Sequence, residues 1–534
     1  MISEYDYIIV GSGAGGSTLA YRLSENSRTS ILVLEYGSGA GNPLHSIPKG
    51  FFFTLQGDRY TYHYPTQPIA GTTKIESWTR GKVVGGSTTV NGMMYSRGFQ
   101  PDFDALAAHS GADHWAWDRI LATYRSIENH ALGGSPLRGE DGRLGISATG
   151  ATGELADRIF AAAESLGLER VADVNASDDE RIGYTPSTVF HGRRTSAATA
   201  FLTPAVHRAN VTLETRTRVA RILVQDGRAI GIEADRRGSS VTYHARREII
   251  VAGGTIESPL LLERSGIGHP DLLARHGIDT VVESRQVGER VIEQHGPGSV
   301  QARLKKRLGA TETLNSPIKL VYQGALYLAT RRGPISTAGY DFTFHLKSDP
   351  SLDRPDLVGC VTPFAIDPTA SKMKLAGHSG LLAGMYQTRP QTTSSVHISG
   401  PRPDDTPLIS PHYFETDVDQ SASSRILGRV RELLAAPPLA DIIEGEDFPT
   451  NAVSSEPAAA LEHGRSFGGT IYHAVGSCAM GPRPDDVVDA ELRVRGIAGL
   501  RVVDASVLPF QVSANTAAPV MAIGWIAADL IENT

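Results

Sequence analysis

The first thirty-five residues constrain this chain more than any other stretch. A β-branched run, Tyr7 to Val10, feeds directly into Gly11-Ser12-Gly13-Ala14-Gly15-Gly16; a helix-like segment follows near Ser17 to Glu25, then a second apolar run, Ser30 to Glu35. A strand that turns through glycines into a helix and returns as a second strand is the opening of a doubly wound α/β sheet. Gly11, Gly13 and Gly16 supply the GxGxxG spacing, with Ala14 and Gly15 between them at the mouth of the helix. The first glycine makes the turn, the second lets a pyrophosphate approach the backbone, and the third lets helix and strand pack closely. Glu35 ends the second strand 24 residues after Gly11, near the spacing at which an acid holds an adenosine ribose. The unit predicts dinucleotide binding.

Further along, residues 37–85 are dense in Gly, Pro and aromatics, including Phe51 to Phe53 and Tyr60, Tyr62 and Tyr64. With little periodicity, that segment reads as a long loop, a lid or a cofactor-covering arm. Helical patterns follow at 102–130 and 153–167, and a β-rich stretch at 211–252 runs into Gly253-Gly254, echoing the first unit. From about 291 to 460, β-like segments (Lys319 to Thr330, Tyr340 to Leu346, Ser395 to Ser399) alternate with Pro-rich turns and predict a second, sheet-based domain. The expected division assigns 1–155, 193–290 and 461–534 to the dinucleotide domain and 156–192 and 291–460 to the substrate domain. The apolar stretch Ala517 to Ile531 contains Pro519 and Asp529 and is too short to span a bilayer, so it predicts a buried helix.

Composition narrows the partners. Fifty-one basic against 58 acidic residues give a net charge of −7 without long runs of either sign, which argues against nucleic acid. Two cysteines, Cys360 and Cys478, cannot build a disulfide framework, and the absence of CxxC and HExxH argues against a metal site. The N-terminus has no secretory pattern, so a reducing, cytoplasmic setting is expected. Fifty-six glycines in 534 residues, above the usual ~7%, favour a backbone that cradles a ligand.

The stretch Gly81-Lys82-Val83-Val84-Gly85-Gly86-Ser87-Thr88-Thr89-Val90-Asn91-Gly92 is too rich in glycine and hydroxyls to be a packed strand and suits close approach to a phosphate or a flavin edge. The block from Gly81 to Asp104, with Asn91, Tyr95 and Gly98, resembles the first signature of the glucose-methanol-choline (GMC) flavin oxidoreductases; Gly254 to Gly268 resembles the second. Tyr472 to Gly481 is similar to that family's histidine-bearing loop, and Leu500 to Ser506 and Asn515 to Pro519 to its closing flavin-contact strand and second active-site position.

The resemblance implies a Rossmann-like FAD-binding domain joined to a second, sheet-based substrate domain, with FAD rather than NAD. It further implies cofactor contacts from Gly85, Gly86, Thr88, Asn91, Gly92, Met93, Val219, Ala252, Gly253, Asp504, Ala505 and Thr516. Ala474 and Ser477 replace the Pro and Thr of the usual HPxGT loop. Val90 stands where some members carry the histidine that binds FAD covalently, so non-covalent FAD is expected. The family's VGxNLQDH stretch is met only loosely by Val287 to His295, read as one residue longer.

Oxidising an alcohol removes a proton from oxygen and a hydride from carbon, so a base must stand beside the hydride acceptor. In the family's two active-site positions this chain has His473 and Asn515; the imidazole can act as base, whereas the amide does not titrate and can only donate to the developing alkoxide. Asn515 could also cap the helix that follows it, and the two roles can hold together. Cys478 reads as a small buried hydrophobe rather than a nucleophile, and Gly377-His378-Ser379-Gly380 as a loop.

The expected activity is FAD-dependent oxidation of a small-molecule alcohol, with hydride transfer to flavin N5 and electrons passed to O2 or a quinone-like acceptor. Alternatives within the same fold are a hydroxynitrile-lyase-like enzyme and a light-driven decarboxylase.

Overall fold

The computed structural model describes residues 3–370, 374–450 and 452–533. In chain order, β1 (Ser3–Val10), α1 (Ala14–Leu23) and β2 (Ile31–Glu35) form the opening unit, followed by a hairpin of β3 (Thr61–Pro65) and β4 (Ser77–Gly81). Two short strands, β5 (Glu169–Arg170) and β6 (Arg181–Tyr184), precede β7 (Val211–Thr215) and a meander of β8 (Thr217–Gln225), β9 (Arg228–Arg236) and β10 (Ser239–Val251). Helix α2 (Gly254–Arg264) leads out of the meander. Then come β11 (Ser299–Leu304), α3 (Pro317–Thr330), β12 (Phe342–Leu346), β13 (Leu357–Thr362), β14 (Gly380–Gln387), α4 (Asp417–Ala435) and β15 (Ile443–Phe448). Strand β16 (Leu500–Val502) and α5 (Ala517–Glu532) close the chain.

The first sheet has the order β7-β2-β1-β10-β9-β8, with β16 beside the end of β10. Strand β1 is parallel to β2 and β10, pairing Ile8 with Leu32 and Ile249 and Val10 with Leu34 and Val251. These residues are fully buried or nearly so, which explains why the strands are runs of Ile, Val and Leu rather than alternating patterns. Helix α5 is buried along most of its length and packs on α1, close enough that a Cβ on Gly524 would lie 2.6 Å from the Gly15 carbonyl oxygen. The second sheet has the order β15-β11-β14-β13-β12-β6-β5 and is antiparallel apart from β5 with β6. One face of it, with Phe342, Phe344 and Leu381, shares a buried core with Ile426 and Val430 of α4.

Two local expectations are corrected. Residues 37–85 hold a helical turn, Phe51–Thr54, and the β3–β4 hairpin rather than one long loop. Residues Lys319 to Thr330 are helical, not β-like: the Ser316 side chain accepts from the Lys319 N–H and Pro317 occupies the first turn, so the helix has a start signal on its N-terminal side. Helical patterns at 102–130 resolve into two helices, Gln100–Ser110 and Trp117–Ile127. Among the described residues no helix is long and apolar enough to cross a membrane.

Candidate active site

A cavity of about 910 Å³ opens between the two sheets, at the carboxyl ends of β1 and β10. That is where an open α/β sheet binds its ligand, because the helix N-termini that follow parallel strands converge there. Of the residues singled out in the sequence, Gly11, Gly13, Ala14, Gly15, Glu35, Gly86, Thr88, Asn91, Gly92, Met93, Val219, Ala252, Gly253, Asp504, Ala505, Thr516, His473 and Asn515 all line it. Gly16 and Gly85 stand behind the wall: a Cβ on Gly16 would lie 2.1 Å from the Gly11 carbonyl oxygen, and the Gly85 N–H donates to the Ser12 carbonyl at 3.0 Å.

The glycines divide by what they face. Added Cβ atoms at Gly11 and Gly15 would strike backbone oxygens of Ala252 and Val503 at 2.3 and 2.2 Å, whereas one at Gly13 would meet nothing within 4 Å. Gly13 therefore faces open space, and it caps α1 without any side-chain bond, leaving first-turn N–H donors for an anion. This cradle fits the diphosphate of a dinucleotide. The second glycine loop reaches it directly, since a Cβ on Gly86 would come within 2.9 Å of the Gly13 Cα. Glu35 accepts from the Ser12 N–H (3.2 Å), the Ser12 hydroxyl (2.5 Å) and the Gly37 N–H (2.7 Å), so it ties the glycine turn to the end of β2 while lining the cavity. Burial raises its pKa. Asp504 is saturated by protein donors: Gly254 N–H and Ser258 hydroxyl on one oxygen, Ser506 N–H and hydroxyl on the other. It joins the start of α2 to the loop after β16.

At His473 the hydrogen bonds determine the tautomer. Gln294 donates through its amide to the Thr388 carbonyl at 2.6 Å, which turns its oxygen toward His473 Nδ1 at 2.8 Å. The Tyr386 hydroxyl donates to Asn515 Oδ1 at 3.0 Å, which turns the Asn515 amide nitrogen toward His473 Nε2 at 3.1 Å. Nδ1 must then carry the proton and Nε2 the lone pair, the form a base requires. Burial, reinforced by the Arg80 charge, lowers the His473 pKa to about 3, so the ring is neutral across the physiological range. Behind it, Glu293 accepts from the backbone N–H of His473 at 2.7 Å and lies 3.6 Å from Arg80. Burial raises the Glu293 pKa to about 7 against the opposing Arg80 charge. Tyr472, next to His473, and Met93 both hold φ near +69°, a strained backbone that recurs where side chains are aimed at ligands.

Two sequence readings change here. The stretch after Val287 is not one residue longer: counted from Val287, the eight-residue pattern ends at Gln294, and it is Gln294 that reaches His473. His295 is instead packed against the rings of Tyr413 and Phe414, with neither nitrogen hydrogen-bonded. Asn515 does not cap α5 with its side chain: Thr516 is the cap residue, and the Asn515 amide is spent on Tyr386 and His473. Sequence reasoning missed Arg80, Glu293, Gln294 and Tyr386. It also missed buried Arg194, which donates to Asn91 Oδ1 (2.7 Å) and to the carbonyls of Thr88 (3.1 Å) and Asn91 (2.7 Å), fixing the second glycine loop. Cys478 is buried, its thiol pKa pushed up by burial and by Asp504.

Known proteins share this architecture over the whole chain. Residues 5–295 and 390–524 match the two family models described as GMC oxidoreductase. Human mitochondrial choline dehydrogenase is 32% identical, covering 99% of this chain and 90% of its own length. Pyridoxine 4-oxidase from Mesorbium loti superimposes with a TM-score of 0.87 at 29% identity, covering 99% of each chain. Formate oxidase of Aspergillus oryzae, whose structure concerns FAD modification, gives a TM-score of 0.90 at 25% identity over 99% of this chain and 98% of its own. With two signature loops, a dinucleotide cradle and this likeness from end to end, the chain belongs to the GMC oxidoreductase family and is an FAD-dependent oxidoreductase.

Proposed function

We propose that this enzyme oxidises neutral, largely apolar primary alcohols to aldehydes, with His473 as the base. The observation that carries this reading is the unprotonated Nε2 of His473, held toward the cavity by Gln294 on one side of the ring and Asn515 on the other. A substrate hydroxyl placed there takes the place of the Asn515 amide on Nε2 and gives its proton to that nitrogen, while the displaced amide N–H donates to the alkoxide oxygen as charge develops. The Gln294 carbonyl favours the imidazolium that results, and the Glu293 carboxylate, 3.6 Å from Arg80, offsets the Arg80 charge that opposes it. FAD, when bound, supplies the hydride acceptor. Gly13, the α1 N-terminus and the loop Gly86 to Met93 would hold it, and Val90 offers no atom for a covalent link, which supports non-covalent attachment.

The preference for an apolar alcohol rests on what surrounds the base. Tyr386, beside Asn515, belongs to an apolar cluster with Met94, Cys360 and Ile471, all of which line the cavity. The carboxylates that line it, Glu35, Glu257 and Asp504, are each bound by protein donors, Glu257 by the Tyr64 hydroxyl at 2.6 Å. Among the described residues, then, each carboxylate of the lining is already engaged by a protein partner, Glu257 by Tyr64 and by Arg264 at 3.6 Å, which disfavours a quaternary ammonium, although a human relative is a choline dehydrogenase. Burial of an uncharged tail is the favoured contact.

The test is anaerobic rapid mixing of the holoenzyme with benzyl alcohol, octan-1-ol and choline, following loss of the flavin's visible absorbance. The neutral alcohols should bleach it and choline should not. His473→Ala should keep its FAD and bleach about 10²- to 10⁴-fold more slowly. An unchanged rate in that variant overturns the base assignment, and bleaching by choline alone overturns the substrate class.

A further inference from the structure

Helix α3 has an unusual surface. Its 14 residues pack mainly on the short helices at 311–315 and 334–336, and Tyr327 is its buried residue, with the hydroxyl donating to the Gly192 carbonyl at 3.0 Å. Gln323, one turn before Tyr327, faces the body of the protein, and the opposite face carries Ile318, Val321, Tyr322, Ala325 and Leu328 at the spacing of one helical stripe. Ile318 is 85% exposed, Val321 75%, Leu328 68% and Tyr322 63%. Four large apolar side chains side by side in water, on a helix with few neighbours, mark an interaction surface.

We propose that α3 is a docking helix that lies in the surface of an anionic lipid bilayer. Charge selects this occupant. From Thr313 to Tyr340 the chain has Lys319, Arg331 and Arg332 but no Asp or Glu, within a protein of net charge −7. Among the described residues none of these three cations is paired with a carboxylate; Arg331 instead covers the Tyr327 ring at 5.0 Å. A basic, apolar helix is attracted to anionic headgroups and buries its stripe among the acyl chains. A second copy of this chain is a poorer match, because a two-fold contact would bring each helix's cations against the same cations of its mate. At about 1.5 Å per residue the helix is about 21 Å long, too short to cross a bilayer core of ~30 Å, so it lies along the surface.

The position of the helix gives the docking a purpose. Gln323, Arg331 and Arg332 line a second cavity of about 880 Å³, which extends to Phe364. The Phe364 ring meets Phe52 edge-on at 5.9 Å, and Phe52 lines the active-site cavity. Docking through α3 would thus set this second cavity, one aromatic pair away from the active site, beside the lipid.

Co-sedimentation of the holoenzyme with vesicles tests the proposal, comparing pure phosphatidylcholine with a phosphatidylcholine–phosphatidylglycerol mixture. Binding should be strong to the mixed vesicles, weaker to the neutral ones, and weakened by salt. Ile318→Gln with Val321→Gln and Leu328→Gln should lower the partition coefficient about tenfold or more, while Lys319→Glu with Arg332→Glu should abolish the preference for anionic lipid. These side chains are exposed, so FAD content and thermal midpoint should match the parent and report that each variant folds. No binding to either vesicle, or binding that neither variant alters, overturns the proposal. So does sedimentation velocity showing a dimer that the triple variant converts to monomer, which would assign the face to a second copy. Each of these readouts is independent of which alcohol the enzyme oxidises.

Discussion

At the residue scale the site is a histidine whose protonation state is set by its neighbours. Gln294→Leu removes the acceptor for Nδ1–H and frees the ring to take the wrong tautomer, so flavin reduction should slow about 10- to 100-fold with FAD still bound. Rapid-mixing rates check this. Glu293 carries a pH signature: its pKa is raised to about 7, while that of His473 lies near 3. Above pH 7 the Glu293 carboxylate is charged and offsets the Arg80 charge that disfavours the imidazolium, below it the neutral acid does not, so under the proposed mechanism the rate should rise through an inflection near 7. That inflection should vanish in Glu293→Gln; its survival would assign the titration to another group. His473 was legible from its loop. Glu293 and Gln294 were not, because they precede it by about 180 residues and act only once β-bridging between Ile292 and Val475 lays the two segments side by side.

Among the elements, the opening βαβ unit was readable because its geometry is local: the turn, the helix start and the strand pair are fixed by neighbours in sequence. Its glycines give a clean prediction. Gly16→Ala forces a Cβ onto the Gly11 carbonyl and should destabilise the protein by about 3 kcal/mol or more. Gly13→Ala meets open space, so the fold should persist while FAD content falls. Thermal melts and the flavin absorbance of purified protein separate the two outcomes; equal losses of fold would show that Gly13 is a packing glycine. Helix α3 was misread for the converse reason. Its apolar residues face outward rather than toward a core, and the run Leu320-Val321-Tyr322 alone does not distinguish a strand from a helix. Asn515 lines the cavity beside His473, yet its side chain does not cap α5, because Tyr386, on β14 of the second sheet, claims it.

For the whole molecule, buried titratable groups set opposing limits on stability. Burial lowers the pKa values of His295 and His473 to about 3 and that of His130 to about 4. The unfolded chain therefore binds protons that the native state refuses, and stability falls as pH drops below about 6.5. Glu293, raised to about 7, and Glu35, Glu128 and Glu263, also raised, act in the other direction. Their unfolded forms ionise first, so stability falls as pH rises from about 4.5 toward their folded pKa values. The thermal midpoint should peak between roughly pH 5 and 6, and His295→Phe should flatten the acid side; a midpoint unchanged by pH would overturn this balance. One consequence concerns synthesis on the ribosome. Strand β1 pairs with β10, which begins at Ser239, and the cradle that Gly13 opens is closed by Ala505 and Thr516. At about 5–20 residues per second, translation leaves the first strand without its second partner for tens of seconds. No nascent fragment short of β16 and the start of α5 contains a complete site, so cofactor loading follows elongation through that point, and the waiting apolar edge is a natural client for a chaperone.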